Sequence, residues 1–370
     1  MKLLQYFTRL LLITLTLLTC KVATGAVVDE LRYISLDTFP LLGTLAADAS
    51  ARYSRLPDSL KERVRPELWN LGLNSAGLAV RFRSDSPRLA ARWHSHNKFN
   101  MNHMTATGIR GLDLYVLQDD STWTTVSSAR PSFHNHNSTS LIVSDMEPGV
   151  MREYMLYLSL YDGVDSLYIG VDSTARVLYP AVELPKVEKP IVMYGTSILQ
   201  GGCATRPGMA HTNIIQRDMQ RQVINLGFSG NARLDPEIAH LIAQSDPSAI
   251  VLDMLPNCTA TQLDEYLGDF VAIIRKALPT TPILLIESPI FPIARFNREV
   301  SQTLRDKNNH LFAIYQWLQD EGYENLHYMT ADKVLGDRYE ATVDNYHLTD
   351  AGFDAFAKEL EPILDNLINN

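Results

Sequence analysis

Pro190-Ile191-Val192-Met193-Tyr194-Gly195-Thr196-Ser197-Ile198-Leu199-Gln200-Gly201-Gly202 is a short apolar run that ends in a glycine-bounded turn carrying one hydroxyl. An uninterrupted apolar run between Pro and Gly reads as a strand buried on both faces, the mark of a parallel sheet. The turn places Ser197 beyond the strand's carboxyl end, where open α/β sheets gather their ligands. A Gly-x-Ser after a strand also arises by chance as a plain turn. Its meaning therefore depends on what the rest of the chain brings to it.

Downstream, strands alternate with helices. Apolar strands are predicted at 191–194, 223–226, 249–252, 283–286 and 326–329. Helical patterns fall at 213–219, 236–244, 261–277, 298–319 and after Thr349. This alternation predicts an α/β domain with a flavodoxin-like parallel sheet over residues 187–370. Upstream the texture changes to short alternating runs such as Leu78-Ala79-Val80-Arg81-Phe82-Arg83 and Leu112-Asp113-Leu114-Tyr115-Val116. Turn residues such as Asp119-Asp120-Ser121 and Asp162-Gly163 separate them. Many short strands at this spacing predict a β-sandwich, jelly-roll-like, over 27–180. Pro180, Pro185 and Pro190 stiffen the stretch between the two units.

The first 26 residues read as a signal peptide. Lys2 and Arg9 precede the apolar run Leu10 to Leu18, and Ala23-Thr24-Gly25-Ala26 offers small residues for cleavage. Export to the periplasm or the exterior is the resulting expectation. Cys20 leaves open a second reading, a lipid anchor on a bacterial membrane. The 370-residue chain carries a formal charge of −9. Removing the leader takes Lys2, Arg9 and Lys21 with no acid, leaving −12. That balance argues against nucleic acid as a partner, and no internal run is long and apolar enough to span a membrane. Cys203 and Cys258 then remain, and in an oxidising compartment they are able to pair.

A serine hydroxyl is a weak nucleophile unless a base takes its proton and a third group orients that base. Asp344-Asn345-Tyr346-His347, just ahead of the last helix, supplies both for Ser197. The oxyanion formed on attack needs donors of its own. Gly230, after the second strand, offers a backbone N–H, and Asn257, after the third, offers a side-chain amide.

These four blocks, in this order, resemble the SGNH hydrolases, also called GDSL esterases. The resemblance covers about 190–370 and implies Ser197 as nucleophile, His347 as base and Asp344 as its partner, with Gly230 and Asn257 as oxyanion donors. Two departures are visible. The usual Gly-Asp-Ser is Gly195-Thr196-Ser197, and the usual Gly-x-Asn-Asp is Leu255-Pro256-Asn257-Cys258. With a sandwich upstream, the chain is also similar to exported two-domain bacterial esterases. Leu199 stands where an α/β-hydrolase elbow requires glycine, which argues against that family.

Weaker candidates surround this set. Arg206 and His211 follow the nucleophile turn and are candidate substrate contacts. His94, His96, His103, His134 and His136 form a histidine-rich patch in the sandwich. With no clear carboxylate beside it, the patch reads as surface or sugar-contacting residues, and no metal is expected. Glu287 ends the fourth strand and reads as structural. The function expected is hydrolysis of carbohydrate esters, acetyl foremost, with no cofactor and with an acetylated polysaccharide or oligosaccharide as substrate. The alternatives are a lipase, lysophospholipase or thioesterase on the same fold, and a catalytically weak carbohydrate-binding protein.

Overall fold

The computed structural model describes residues 28–46, 49–336 and 340–369. The leader at 1–26 and Cys20 lie outside them.

The N-terminal half contains two antiparallel sheets. One orders Arg32–Ser35, Val164–Val171, Leu89–Ser95 and Asn137–Val143. The other orders Val177–Leu178, Ala79–Ser84, Arg152–Tyr157, Leu112–Leu117 and Trp123–Ala129, with Leu41–Leu42 alongside Ala79–Ser84. Their alternating residues meet in a core around Phe82, Trp93, Leu156 and Ile169. Alternate residues of a strand face opposite sides, so one face of each sheet fills the space between them.

The C-terminal half is a five-stranded parallel sheet. In chain order its strands are Lys186–Gly195, Arg221–Gly227, Ala249–Asp253, Ile283–Ile286 and Leu326–Met329. In space the order is second, first, third, fourth, fifth. The chain leaves the first strand to one side and returns to the other, so that strand's carboxyl end is the switch point where this fold opens a crevice. Ile191 and Met193 pack with Ile214, Phe353 and Phe356 on one face. Val192 and Tyr194 pack with Ile238, Phe270 and Leu311 on the other. Both faces are covered, which is why these strands read as unbroken apolar runs.

Three features depart from the sequence reading. The helix expected over 261–277 is divided: a capped turn at Ala260–Gln262 and a wider π-type turn at Leu263–Leu267 precede Gly268–Ala277. Cys203 and Cys258 are free thiols, the first in the core of one sheet face and the second in that of the other. The sheet separates them, so they do not pair. Finally, the stretch ahead of the sandwich strands does not belong to the sandwich core. Leu56, Leu60, Val64 and Leu68, the last on the helix Pro66–Gly72, pack into the hydrolase core beside Leu226 and Phe228. Among the described residues no helix is long and apolar enough to cross a membrane.

Candidate active site

Ser197 opens a one-turn helix, Ser197–Gln200. Thr196 caps it, its hydroxyl accepting from the Ile198 N–H at 3.3 Å, and Gly201 ends it at φ 101°. The turn lies directly on the second strand. A Cβ at Gly227 would sit 2.3 Å from the Gln200 nitrogen, so that strand end tolerates only glycine. Buried amides hold the turn in place. Asn225 Nδ2 donates to Leu199 O at 2.8 Å, and Gln200 Oε1 accepts from the Ser229 N–H at 3.0 Å. Gln200 thereby links the nucleophile turn to the loop carrying Gly230.

The loop ahead of the last helix, Asp350–Asn369, brings the other partners. His347 Nε2 lies 2.9 Å from Ser197 Oγ, and His347 Nδ1 lies 2.8 Å from Asp344 Oδ2. Asp344 Oδ1 accepts from the backbone N–H of His347 at 2.8 Å and of Tyr346 at 3.1 Å. Burial works against the Asp344 carboxylate, but these hydrogen bonds outweigh it and hold its pKa below the usual value. With Asp344 ionised, Nδ1 carries the imidazole's proton and Nε2 is left free to accept one from Ser197.

Gly230 sits in the turn Phe228–Asn231 at φ 67°, a conformation that suits glycine. Space is open where its side chain would be. Asn257 ends the short turn Leu255–Asn257, and its Oδ1 accepts from the Ala232 N–H at 3.3 Å. That bond leaves the NH₂ end of the amide for other acceptors. Ser197, Gly230 and Asn257 thus follow the carboxyl ends of the first, second and third strands.

One family model, the GDSL-like lipase/acylhydrolase family, matches residues 188–365, and a second, the N-terminus of SGNH hydrolase-type esterases, matches 31–177. A Bacteroides ovatus protein of known crystal structure, described as a GDSL-like lipase by resemblance, is 31% identical, with a TM-score of 0.87 over 92% of this chain and 98% of that one. This chain is a GDSL-like acylhydrolase. Two more distant structures share the fold. A salicylyl-acyltransferase from a tetracycline biosynthetic pathway is 19% identical, with a TM-score of 0.72 over 91% of this chain and 98% of its own. A family two carbohydrate esterase from Clostridium thermocellum is 12% identical, with a TM-score of 0.58 over 80% and 93%. None of the curated proteins compared with the acylhydrolase matches it.

The two candidate substrate contacts lie elsewhere in this GDSL-like acylhydrolase. His211 is fully buried, stacked on Phe356 at 4.7 Å and Phe353 at 5.6 Å. Burial pushes its pKa down to about 3, so it is a neutral core residue out of a substrate's reach. Arg206 turns to the sandwich, where it pairs with the buried Asp113 and donates to Tyr115 Oη at 2.8 Å. Its role is to join the two halves.

The histidine patch divides. His94 and His96 both bond Asp165, at 3.0 and 2.9 Å, so a neighbouring strand supplies the carboxylate that local sequence lacks. His136 bonds Ser95 O and stacks on His94. His134 lies beside Phe133. His103 instead reaches the site from the sandwich half, its Nε2 4.0 Å from Asp344 Oδ2. Tyr161, which the sequence reading missed, also crosses from that half, its hydroxyl donating to Ser197 O at 3.2 Å. Glu287 accepts from Tyr328 Oη at 2.8 Å and is structural.

Asp253, at the end of the third strand, is 3% exposed, and its Oδ2 has no partner among the described residues. Burial raises its pKa to about 8, so it is protonated at neutral pH. From the ordinary carboxylate range up to about 8 the unfolded chain has lost a proton that the fold retains. Stability contributed by this group therefore falls as pH rises through that window. Asp253→Asn, an uncharged isostere, is expected to raise the unfolding midpoint more at pH 8 than at pH 5. Thermal unfolding at the two pH values checks this.

Proposed function

We propose that this acylhydrolase is an exported serine esterase that removes acyl groups, acetyl foremost, from carbohydrate hydroxyls through an acyl-enzyme. The observation that carries the reading is the continuous hydrogen-bonded series from Asp344 through His347 to Ser197, at 2.8 and 2.9 Å. In this mechanism Ser197 Oγ attacks the ester carbonyl while His347 Nε2 takes its proton. The N–H groups of Ser197 and Gly230 and the amide of Asn257 receive the oxyanion. His347 then protonates the departing alcohol and draws a proton from water, which releases the acid. The export part of the reading rests on the leader at 1–26.

The carbohydrate reading draws support from the cleft beside the nucleophile. A cavity of about 360 Å³ is lined by Asn70, Asn74, Asn97 and Asn231, with Phe99 and Tyr161. Ser229, next to Gly230, also borders it. Amides hydrogen-bond sugar hydroxyls, and an aromatic ring stacks on the apolar face of a sugar. Phe99 is 46% exposed, an open ring that continues the apolar wall of the cleft formed with Leu71 and Met101. The fold likeness to a carbohydrate esterase solved with cellohexaose is in keeping with this assignment.

Acetate release from acetylated xylan, mannan and pectin, set beside an acyl-chain series from acetate to palmitate, tests the reading. A preference for chains of eight or more carbons would replace it with a lipase. Phe99→Ala is expected to raise KM about 10-fold for an acetylated oligosaccharide, the value of one lost stacking contact of ~1.4 kcal/mol. KM for an aryl acetate should not move.

A further inference from the structure

The site also contains two groups that ester hydrolysis does not use, Cys203 and His103, gathered beside the base His347. Cys203 follows the nucleophile helix and is held at φ 74°, an unusual backbone conformation for a side chain larger than glycine. Its sulfur is buried, while the imidazoles of His103 and His347 are partly exposed. One ring nitrogen of each imidazole and the Cys203 Sγ all lie within 4.8 Å of one another. His103 Nδ1 is engaged by Asn102 Oδ1 at 2.9 Å, which leaves Nε2, the nitrogen near Asp344, as its free ligand atom.

We infer that Cys203, His103 and His347 form a binding site for a soft divalent cation, zinc above all, and that occupancy switches the esterase off. The inference rests on the reading of His347 as the catalytic base. Around a tetrahedral zinc with bonds of about 2.0–2.3 Å, neighbouring ligand atoms stand about 3.3–3.8 Å apart. The three ligand atoms already lie within 4.8 Å of one another, and small side-chain rotations bring them to that range. A thiolate with two imidazoles is a zinc or cadmium set, whereas magnesium and calcium prefer oxygen. On binding, the Cys203 thiol yields its proton to solvent as the sulfur–metal bond forms. The fourth position is left for water.

The inhibitory effect does not depend on which His347 nitrogen the metal takes. At Nε2 the metal occupies the lone pair that accepts the Ser197 proton. At Nδ1 it displaces Asp344 and forces the wrong tautomer. His103 comes from the sandwich half and the other two ligands from the hydrolase half, so the bound metal would also fasten the halves together across the cleft.

The test titrates zinc and magnesium against aryl acetate hydrolysis by the full chain, with a chelator to reverse inhibition. The variants are Cys203→Ser and His103→Ala, each first confirmed active without metal. Because losing even an outer-sphere partner costs roughly 10- to 100-fold in metal affinity, loss of a ligand is expected to raise the zinc needed for half-inhibition by ~100-fold. Magnesium should not inhibit. A second readout is independent of activity: cobalt added to the wild type and to Ser197→Ala should give a thiolate-to-cobalt charge-transfer band that Cys203→Ser lacks. Wild-type zinc sensitivity in both variants, or no thiolate band in the wild type, overturns the inference. A wild type that binds cobalt through Cys203 but hydrolyses no ester would overturn the esterase reading and leave the metal site standing.

Discussion

Ser197→Ala is expected to lower kcat/KM for an aryl acetate by about 10⁴- to 10⁶-fold, while far-UV circular dichroism and the unfolding midpoint stay at wild-type values. The size follows from the role assigned to the hydroxyl. Without Oγ no acyl-enzyme forms, and His347 has no proton to take. What survives is the positioning of water by the cleft and the oxyanion donors. Asp344→Asn is expected to cost about 10³- to 10⁴-fold for a different reason. A carboxamide placed at 2.8 Å from Nδ1 offers that nitrogen a donor, which drives the imidazole proton to Nε2. The base then meets Ser197 with an N–H instead of a lone pair. Because the three groups act as one unit, the double variant should be no worse than Ser197→Ala alone. Additive losses would show that Asp344 and Ser197 do not act as one unit, and a Ser197→Ala variant with wild-type rates would remove Ser197 from the mechanism. Burst kinetics with a chromogenic ester separate acylation from deacylation in the wild type.

The parts of this molecule that sequence revealed are those whose physics is local. The five parallel strands were legible because burial on both faces leaves no polar residue within 191–194 or 249–252 to break the run. Asp344 and His347 were legible because they stand three positions apart ahead of a helix, so one loop fixes their geometry. What escaped is contact at a distance. Arg206 meets Asp113 across 93 residues, and Tyr161 meets Ser197 across 36. Neither leaves any period in the chain. His211 misled because a histidine close behind a nucleophile looks like a substrate contact. Only the packed structure shows Phe353 and Phe356, more than 140 residues on, closing over its ring. The Asp165 bridge between His94 and His96 was hidden for the same reason, since the carboxylate arrives from a paired strand.

The stretch ahead of the sandwich strands is the largest of these hidden couplings, and it carries the second large expected effect. Arg55 is 1% exposed. Its Nε donates to Asn74 O at 2.8 Å and its Nη2 to Leu71 O at 2.6 Å, both within the N-terminal half. Its Nη1 donates to Asn225 O at 3.2 Å and Gly227 O at 2.6 Å, on the second strand of the hydrolase sheet. The guanidinium also lies over the Phe228 ring at 4.9 Å. One side chain therefore satisfies four buried carbonyls from both halves, two of them at the strand end that leads into the Gly230 loop. Arg55→Met keeps most of the volume and leaves those carbonyls without donors. Each buried unsatisfied group costs about 1–3 kcal/mol, and relaxation recovers part of the total, so a loss of about 3–5 kcal/mol is expected. Against a typical stability of about 5–15 kcal/mol that is a large fraction, visible as a lower urea midpoint. Arg55→Lys should not rescue it, because an ammonium concentrates its three donors at one point and cannot span four carbonyls in a plane. The loss should also reach the chemistry. Gly227 supports the nucleophile turn and leads into the loop that bears Gly230, so kcat should fall in Arg55→Met even in the folded fraction, with KM for a small ester little changed. An Arg55→Met enzyme with wild-type stability and kcat would show that the halves hold together, and the oxyanion loop holds its place, without this contact.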